Sequence, residues 1–407
     1  MTVEDFRLEF PSLSASVNGC PLVYLDNAAT AMRPVSVVEK WVDITRNKNS
    51  NIYRAVHTTA AIATKEVEDA RESVRAFIGA DSIREVIFTS GATASLNLLA
   101  FSFGETFVRE GDEIIVSEAE HHANIVPWQM MCKRKGALLK ILPVDERGEM
   151  KLDLLDKMLT KRTKLVSVAH VSNVLGIVNP ITEIAAICHR KGVLLAVDGA
   201  QGIVHCNVNV KDLDCDFYAF SGHKIYAAPG TGVLYGKENL LNSLPPYMGG
   251  GEMIADVKWE GTTYASLPYK FEAGTPNLAG IPTFIPALEI ASRMRCIDVL
   301  DNERKIIDYV IEEFEKEPDI TLFGNPADRG VKVPLFSIAV KGVHHEDLAL
   351  IMDKMGIALR SGQLCAEPLM DSCNVTGMLR ASFAAYNTMQ EAEYFIKSLH
   401  RAMDMLR

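Results

Sequence analysis

The chain has 407 residues, 48% hydrophobic and 23% charged, which is ordinary globular composition able to bury a substantial core. A formal net charge of −10 without a long Lys/Arg block argues against a nucleic-acid partner, which requires a basic footprint. No stretch approaches the roughly 20 apolar residues of a membrane span, and the opening M-T-V-E-D-F-R-L-E-F has no apolar signal core. The eight cysteines include no C-x-x-C pair, so the expectation is a cytoplasmic protein with reduced thiols and no metal site.

From about residue 60 to 240, strand-like runs alternate with helical patterns. Val67, Ala70, Val74 and Phe77 keep helical spacing, with Gly79 as a stop. Val86–Thr89, Glu113–Ser117, Leu165–His170, Val193–Asp198, Asp216–Ser221 and Gly232–Gly236 read as strands, several nearly continuous in apolar residues. Between two of them, Ile184, Ile187 and Cys188 repeat the helical pattern before Gly192. This alternation predicts an α/β fold with a mainly parallel sheet between helices. Further on come a helix near Val299–Phe314, shorter strands at Val333–Val340 and Gly356–Arg360, and a closing helix. Thr388 and Glu391 form a capping-box pattern ahead of that last helix. The expected division is an N-terminal segment over 1–15 packing with the small domain, a large domain over 16–285, and a small C-terminal α+β domain over 286–407.

Ligands of such open sheets sit beyond the carboxyl ends of the strands, and those ends carry chemistry here. After Val86–Thr89 the turn S-G-A-T-A-S opens a helix, whose backbone N–H groups with Thr93 suit a phosphate. After Glu113–Ser117 comes E-A-E-H-H-A-N; one of His121 and His122 can stack on a planar cofactor, leaving the other structural. Asn173 follows the third strand and could bond a ring oxygen or a substrate carboxylate. Asp198 ends the fourth, a buried acid that needs a donor such as a protonated pyridine, with Gln201 within reach of a ring hydroxyl. The next strand delivers Ser221, His223 and Lys224 in S-G-H-K, and lysine is the residue that forms Schiff bases with aldehydes. Taken singly, each has a plainer role: an N-cap, a polar loop, a turn asparagine, a solvated lysine. Together, five successive strand ends each offer a group suited to one part of pyridoxal phosphate (PLP).

A second constellation lies near the C-terminus. Cys365 sits in the polar loop R-S-G-Q-L-C-A-E-P over 360–368, where a thiol is a candidate nucleophile. Arg380, in M-L-R-A-S-F, suits a bidentate pair with a carboxylate or an internal salt bridge.

At this point the chain closely resembles the cysteine desulfurases of the class V aminotransferase group, in their second, SufS/CsdA-like type. The segments that carry this are Y-L-D-N-A-A-T, E-H-H-A-N-I-V-P-W-Q, H-V-S-N-V-L-G, V-D-G-A-Q, D-C-D-F-Y-A-F-S-G-H-K, G-G-G-E-M-I, F-E-A-G-T-P-N, R-A-S-F-A-A-Y-N-T and the R-S-G-x-x-C-A-x-P loop. The resemblance implies a type I PLP-dependent transferase fold and a homodimer with shared active sites. It implies that Lys224 carries PLP covalently and moves the substrate Cα proton, that Asp198 pairs with the pyridine nitrogen, and that Gln201 bonds the ring hydroxyl. His121 would stack on the ring and shuttle a proton, while Thr93, Ser221 and His223 hold the phosphate and Thr275 reaches the phosphate in the partner subunit. Asn173 and Arg380 would bind the substrate carboxylate, Arg54 and Arg360 would line the entrance, and Cys365 would accept sulfur. The reaction so implied turns L-cysteine into L-alanine and an enzyme persulfide, which a SufE- or SufU-like acceptor takes for iron–sulfur cluster assembly. The alternatives are a selenocysteine lyase, another PLP lyase or aminotransferase of the same fold, and a non-catalytic PLP-binding sulfur-relay protein. Two positions depart from the pattern: Leu364 stands where many relatives have a histidine before the cysteine, and Ala94 where several have a glutamate.

Overall fold

The computed structural model describes residues 2–295 and 297–407. Its larger unit is built on β1 (Val86–Thr89), β2 (Glu113–Ser117), β3 (Leu138–Leu142), β4 (Thr163–Ala169), β5 (Leu194–Asp198), β6 (Phe217–Ser221) and β7 (Gly232–Gly236). These form one sheet in the order β1-β7-β6-β5-β4-β2-β3. β2 through β6 are mutually parallel, and β7 runs antiparallel to both β1 and β6. The mainly parallel α/β sheet expected from the alternation is therefore present, with one reversed strand.

β2, β6 and β7 are buried along their whole length, as strands covered on both faces must be. The expectation had no strand at β3. This edge strand is buried only at its last residue, Leu142, and Lys140 in its middle reaches back to buried Glu113 at 2.7 Å. The helix α1 (Thr58–Ile78) buries Val67, Ala70, Val74 and Ile78, and Gly79 caps it at φ 69°, a left-handed conformation that glycine adopts without a Cβ clash. Ile78, rather than the anticipated Phe77, takes the last buried position of that stripe.

The helix Phe284–Arg293 buries Phe284, Ala287, Leu288, Ile290 and Ala291 in the same apolar core as α1 and the large sheet. A second core gathers Ile306, Val310, Ile311, Phe314, Phe336, Ile338, Phe395 and Leu399. It lies between the helices Ile297–Glu315 and Met389–Leu406 and an antiparallel sheet of β8 (Ile320–Phe323), β9 (Leu335–Val340), β10 (Arg360–Gly362) and β11 (Met378–Ser382), in the order β8-β9-β11-β10. Each such side chain, fully buried, contributes about 1.5–3 kcal/mol. The last helix starts as expected: Glu391 N–H donates to Thr388 Oγ1 at 3.3 Å and Thr388 N–H to Glu391 Oε2 at 3.0 Å.

The N-terminal segment ties the two units together. Val3, Phe6, Phe10 and Leu13 are buried in the larger core, while Arg7 pairs with Glu391 at 2.8 Å. The residues Val23–Tyr24 then pair in parallel with Ile357–Ala358 beside the smaller sheet.

Candidate functional site

A cavity of about 230 Å³ opens at the carboxyl ends of the parallel strands. Its wall brings together Thr93, His121, Asn173, Asp198, Gln201, Ser221, His223, Lys224, Arg360, Cys365 and Arg380, every anticipated site residue except Thr275 and Arg54.

On the sheet side, the turn after β1 leads to Gly91, the N-cap of the helix Ala92–Phe107. A Cβ on Gly232 would fall 2.3 Å from the Gly91 Cα, so only glycine at 232 lets β7 pass so close. Ala92 N–H at the helix start donates to Ser221 Oγ at 2.8 Å, joining the turn after β1 to the end of β6. Thr93 lies beside this helix N-terminus, where backbone N–H groups and the helix dipole favour an anion.

Asp198 is 6% exposed, and its carboxylate accepts from the Ala200 N–H at 3.0 Å. Burial pushes its carboxyl above the usual range, with the Ala200 hydrogen bond and Lys224 opposing. Burial pushes the Lys224 amine down to about 8, with Asp198 opposing. Gln201 donates its side-chain amide to the Ala28 carbonyl at 2.7 Å, which fixes the orientation of that amide. His121 Nδ1 accepts from the Ala123 N–H at 3.0 Å, and burial, then Lys224, pushes the ring down to about 4. It is a neutral imidazole at pH 7, able to lie against a planar ring. His223 faces Thr30 Oγ1 at 3.2 Å and is likewise pushed by burial to about 4.

Opposite lies the smaller unit. Arg380, 3% exposed, donates to the Asn173 carbonyl at 2.9 Å and to Asp26 Oδ1 at 3.1 Å. Its buried Nε has no hydrogen-bond partner among the described residues. Arg360 Nη1 lies 3.9 Å from the other Asp26 oxygen. The Asn173 side-chain amide donates to the Leu364 carbonyl at 2.9 Å, so it holds the cysteine loop. Leu364 and Cys365 are both left-handed, at φ 53° and 56°. Such conformations cost on the order of 1–3 kcal/mol per non-glycine residue unless neighbours impose them. Leu364, 5% exposed, is anchored among Ala119, Val174, Leu175 and Leu369, and Cys365 is exposed at the cavity.

Arg54 and Thr275 are exposed and lie outside this cavity. Arg54 pairs with Glu252 at 3.2 Å, and Glu252 with Gly274 and Pro276 borders a separate cavity of about 220 Å³. Asp26, which holds Arg380 at the cavity wall, is a residue that sequence reasoning gave no role, and of the histidine pair it is His121 that lines the cavity. The signal for Asp26 was its being the one charged residue in Y-L-D-N-A-A-T.

The residues present fit PLP. A buried carboxylate with no salt bridge among the described residues and a lysine of depressed basicity line the cavity together, and a helix N-terminus closes one end.

The class-V aminotransferase family model matches residues 23–395. A cysteine desulfurase of Escherichia coli O7:K1 is 44% identical over 407 residues, 100% of this chain and 99% of that protein. A probable cysteine desulfurase of Vibrio cholerae serotype O1 is 43% identical over 406 residues, covering 100% of both. Among solved structures, the cysteine desulfurase CsdA of Escherichia coli superimposes with a TM-score of 0.91 at 37% identity, covering 100% of both chains. The apo cysteine desulfurase of Thermococcus onnurineus NA1 gives 0.93 at 33% identity over 100% of this chain and 99% of that one. With a type I PLP-enzyme fold, a cavity fitted to the cofactor and full-length likeness, the chain belongs to the class-V aminotransferase family, as one of its PLP-dependent cysteine desulfurases.

Proposed function

We propose that Lys224, Asp198 and Cys365, which line one cavity, divide the desulfurase reaction among them, and this shared wall is the observation that carries the reading. When bound, PLP supplies the electron sink that renders the substrate Cα proton acidic and the Cβ–S bond labile. Lys224 would hold the cofactor covalently. Its free amine, held near 8 by burial, is neutral often enough to take the Cα proton. Asp198, whose Oδ1 already accepts from the Ala200 N–H, would keep a proton on the pyridine nitrogen. Gln201 would bond the ring hydroxyl, His121 would lie against the ring, and Thr93, Ser221 and His223 would hold the phosphate at the helix N-terminus. Arg380 and Arg360 take the substrate carboxylate, and Asn173 keeps the thiol loop in place through the Leu364 carbonyl.

Cys365 takes the sulfur. Its thiolate attacks the substrate sulfur, forming the S–S bond as the Cβ–S bond breaks. The bonding pair stays on carbon, which gains a proton, and L-alanine leaves. The sulfur then passes from Cys365 to the thiol of an acceptor protein, SufE- or SufU-like, in a cytoplasmic iron–sulfur assembly route. A homodimer completes the site: Thr275 and Arg54 are exposed and away from their own chain's cavity, which supports their serving the subunit boundary.

Lys224→Ala tests the reading. The expected result is a folded protein without bound-cofactor absorbance and without alanine formation from L-cysteine. A variant that stays yellow and turns over normally removes Lys224 from its role.

A further inference from the structure

We propose that His122 is the positioning residue of the sulfur-accepting loop: its neutral ring and backbone clamp residues 365–367 so that Cys365 faces the cavity. The inference rests on Cys365 being the sulfur acceptor.

Two hydrogen bonds run from this one residue into the loop. His122 N–H donates to the Cys365 carbonyl at 2.8 Å, and His122 Nε2 accepts from the Glu367 N–H at 3.0 Å. An imidazole nitrogen that accepts carries no proton, so the tautomer is fixed with its hydrogen on Nδ1. That lone pair is spent on the Glu367 amide and does not serve the thiol as a base. His122 therefore acts through position, and His121 beside it lines the cavity.

The loop needs such a clamp. Leu364 and Cys365 are consecutive left-handed residues without glycine, and nothing intrinsic to leucine or cysteine favours that pair of conformations. Leu364 is the apolar half of the clamp: it is buried in the same apolar cluster as Ala119, which opens the 119–122 segment that supplies His122. Asn173 adds a third point through the Leu364 carbonyl. Leucine at 364, where many relatives carry histidine, thus anchors the loop, and the histidine that governs the thiol's position comes from the facing segment.

His122→Gln and His122→Leu separate this role from general damage, because a glutamine oxygen can stand where Nε2 accepts and leucine cannot. The measurements are alanine formation from L-cysteine with dithiothreitol as thiol acceptor, bound-cofactor absorbance, and amide hydrogen exchange over 363–372. For His122→Leu we expect kcat to fall about tenfold or more, as a displacement near 1 Å can cause, with KM and absorbance unchanged and exchange over 363–372 faster. His122→Gln recovers most of both losses. Wild-type kcat in His122→Leu, or an equal loss in His122→Gln, overturns the proposal. Cys365→Ala run alongside keeps the two readings apart. If it is inactive while His122→Leu is fully active, only the clamp fails; if it retains full activity, the sulfur-acceptor reading fails.

Discussion

Arg380 donates to Asp26 Oδ1 at 3.1 Å, across 354 residues of chain, and this pair fixes the guanidinium at the floor of the cavity. The Asp26 backbone also bridges in parallel to Ser382, so its main chain is held by the strand that carries Arg380. Burial pushes the Asp26 carboxyl up and Arg380 opposes, as expected for a pair with little solvent. Asp26→Ala leaves a buried guanidinium without its counter-charge. Because Asp26 is 19% exposed, the expected loss is about 2–3 kcal/mol, below the range for fully buried pairs. The KM for L-cysteine should rise by about tenfold or more as Arg380 loses its orientation. Steady-state kinetics and urea denaturation check both, and an unchanged KM removes Asp26 from substrate binding.

Lys224 gives a pH dependence with a definite sign. In the cofactor-free fold its amine is held at about 8, against an ordinary 10.5. The neutral amine is the form that condenses with an aldehyde. Capture of PLP by the apo-protein should therefore quicken as pH rises and level off just above 8. Between about 8 and 10.5 the unfolded chain holds a proton there that the fold does not, so this residue makes apo-protein stability rise with pH over that window. Stopped-flow absorbance after PLP addition reads the first effect; a rate still climbing toward pH 10 contradicts the buried amine.

Asp198→Asn keeps the shape of the side chain and removes its charge. The expected variant binds PLP yet forms alanine about 100-fold more slowly or worse, the scale of breaking a buried charge pair. Alanine assay at matched cofactor content is the check.

Glu120, wholly buried behind His121, accepts from Ala169 N–H at 2.9 Å and Asn124 Nδ2 at 2.8 Å, and Ser117 Oγ donates to it as well. Burial raises its carboxyl to about 7, with these hydrogen bonds opposing. Glu120→Ala strands three donors and should cost about 2–4 kcal/mol. Urea denaturation tests it, and a loss below 1 kcal/mol would mean that the donors find other partners.

The five strand ends are legible in the sequence because each is a local pattern: an apolar run, then a polar group in a turn. β3 escapes because it is an edge strand whose short apolar run is broken by Lys140 in its middle. Asp26 escapes because its partners lie at the far end of the chain, and no spacing encodes a contact made by folding. Asn173 is legible as a site residue, but its hydrogen bond to Leu364 depends on a loop that sequence cannot place against it. Thr275 and Arg54 carry the family pattern yet lie outside the cavity, since a local motif does not say where folding places it.

The most direct measurement is the mass of the Cys365 peptide, with released L-alanine, after a brief exposure to L-cysteine without acceptor. The account predicts a single added sulfur on Cys365 matched by an equal amount of alanine, and neither product in a PLP-loaded Cys365→Ala variant. Added sulfur on another cysteine, or wild-type alanine formation in that variant, would contradict it.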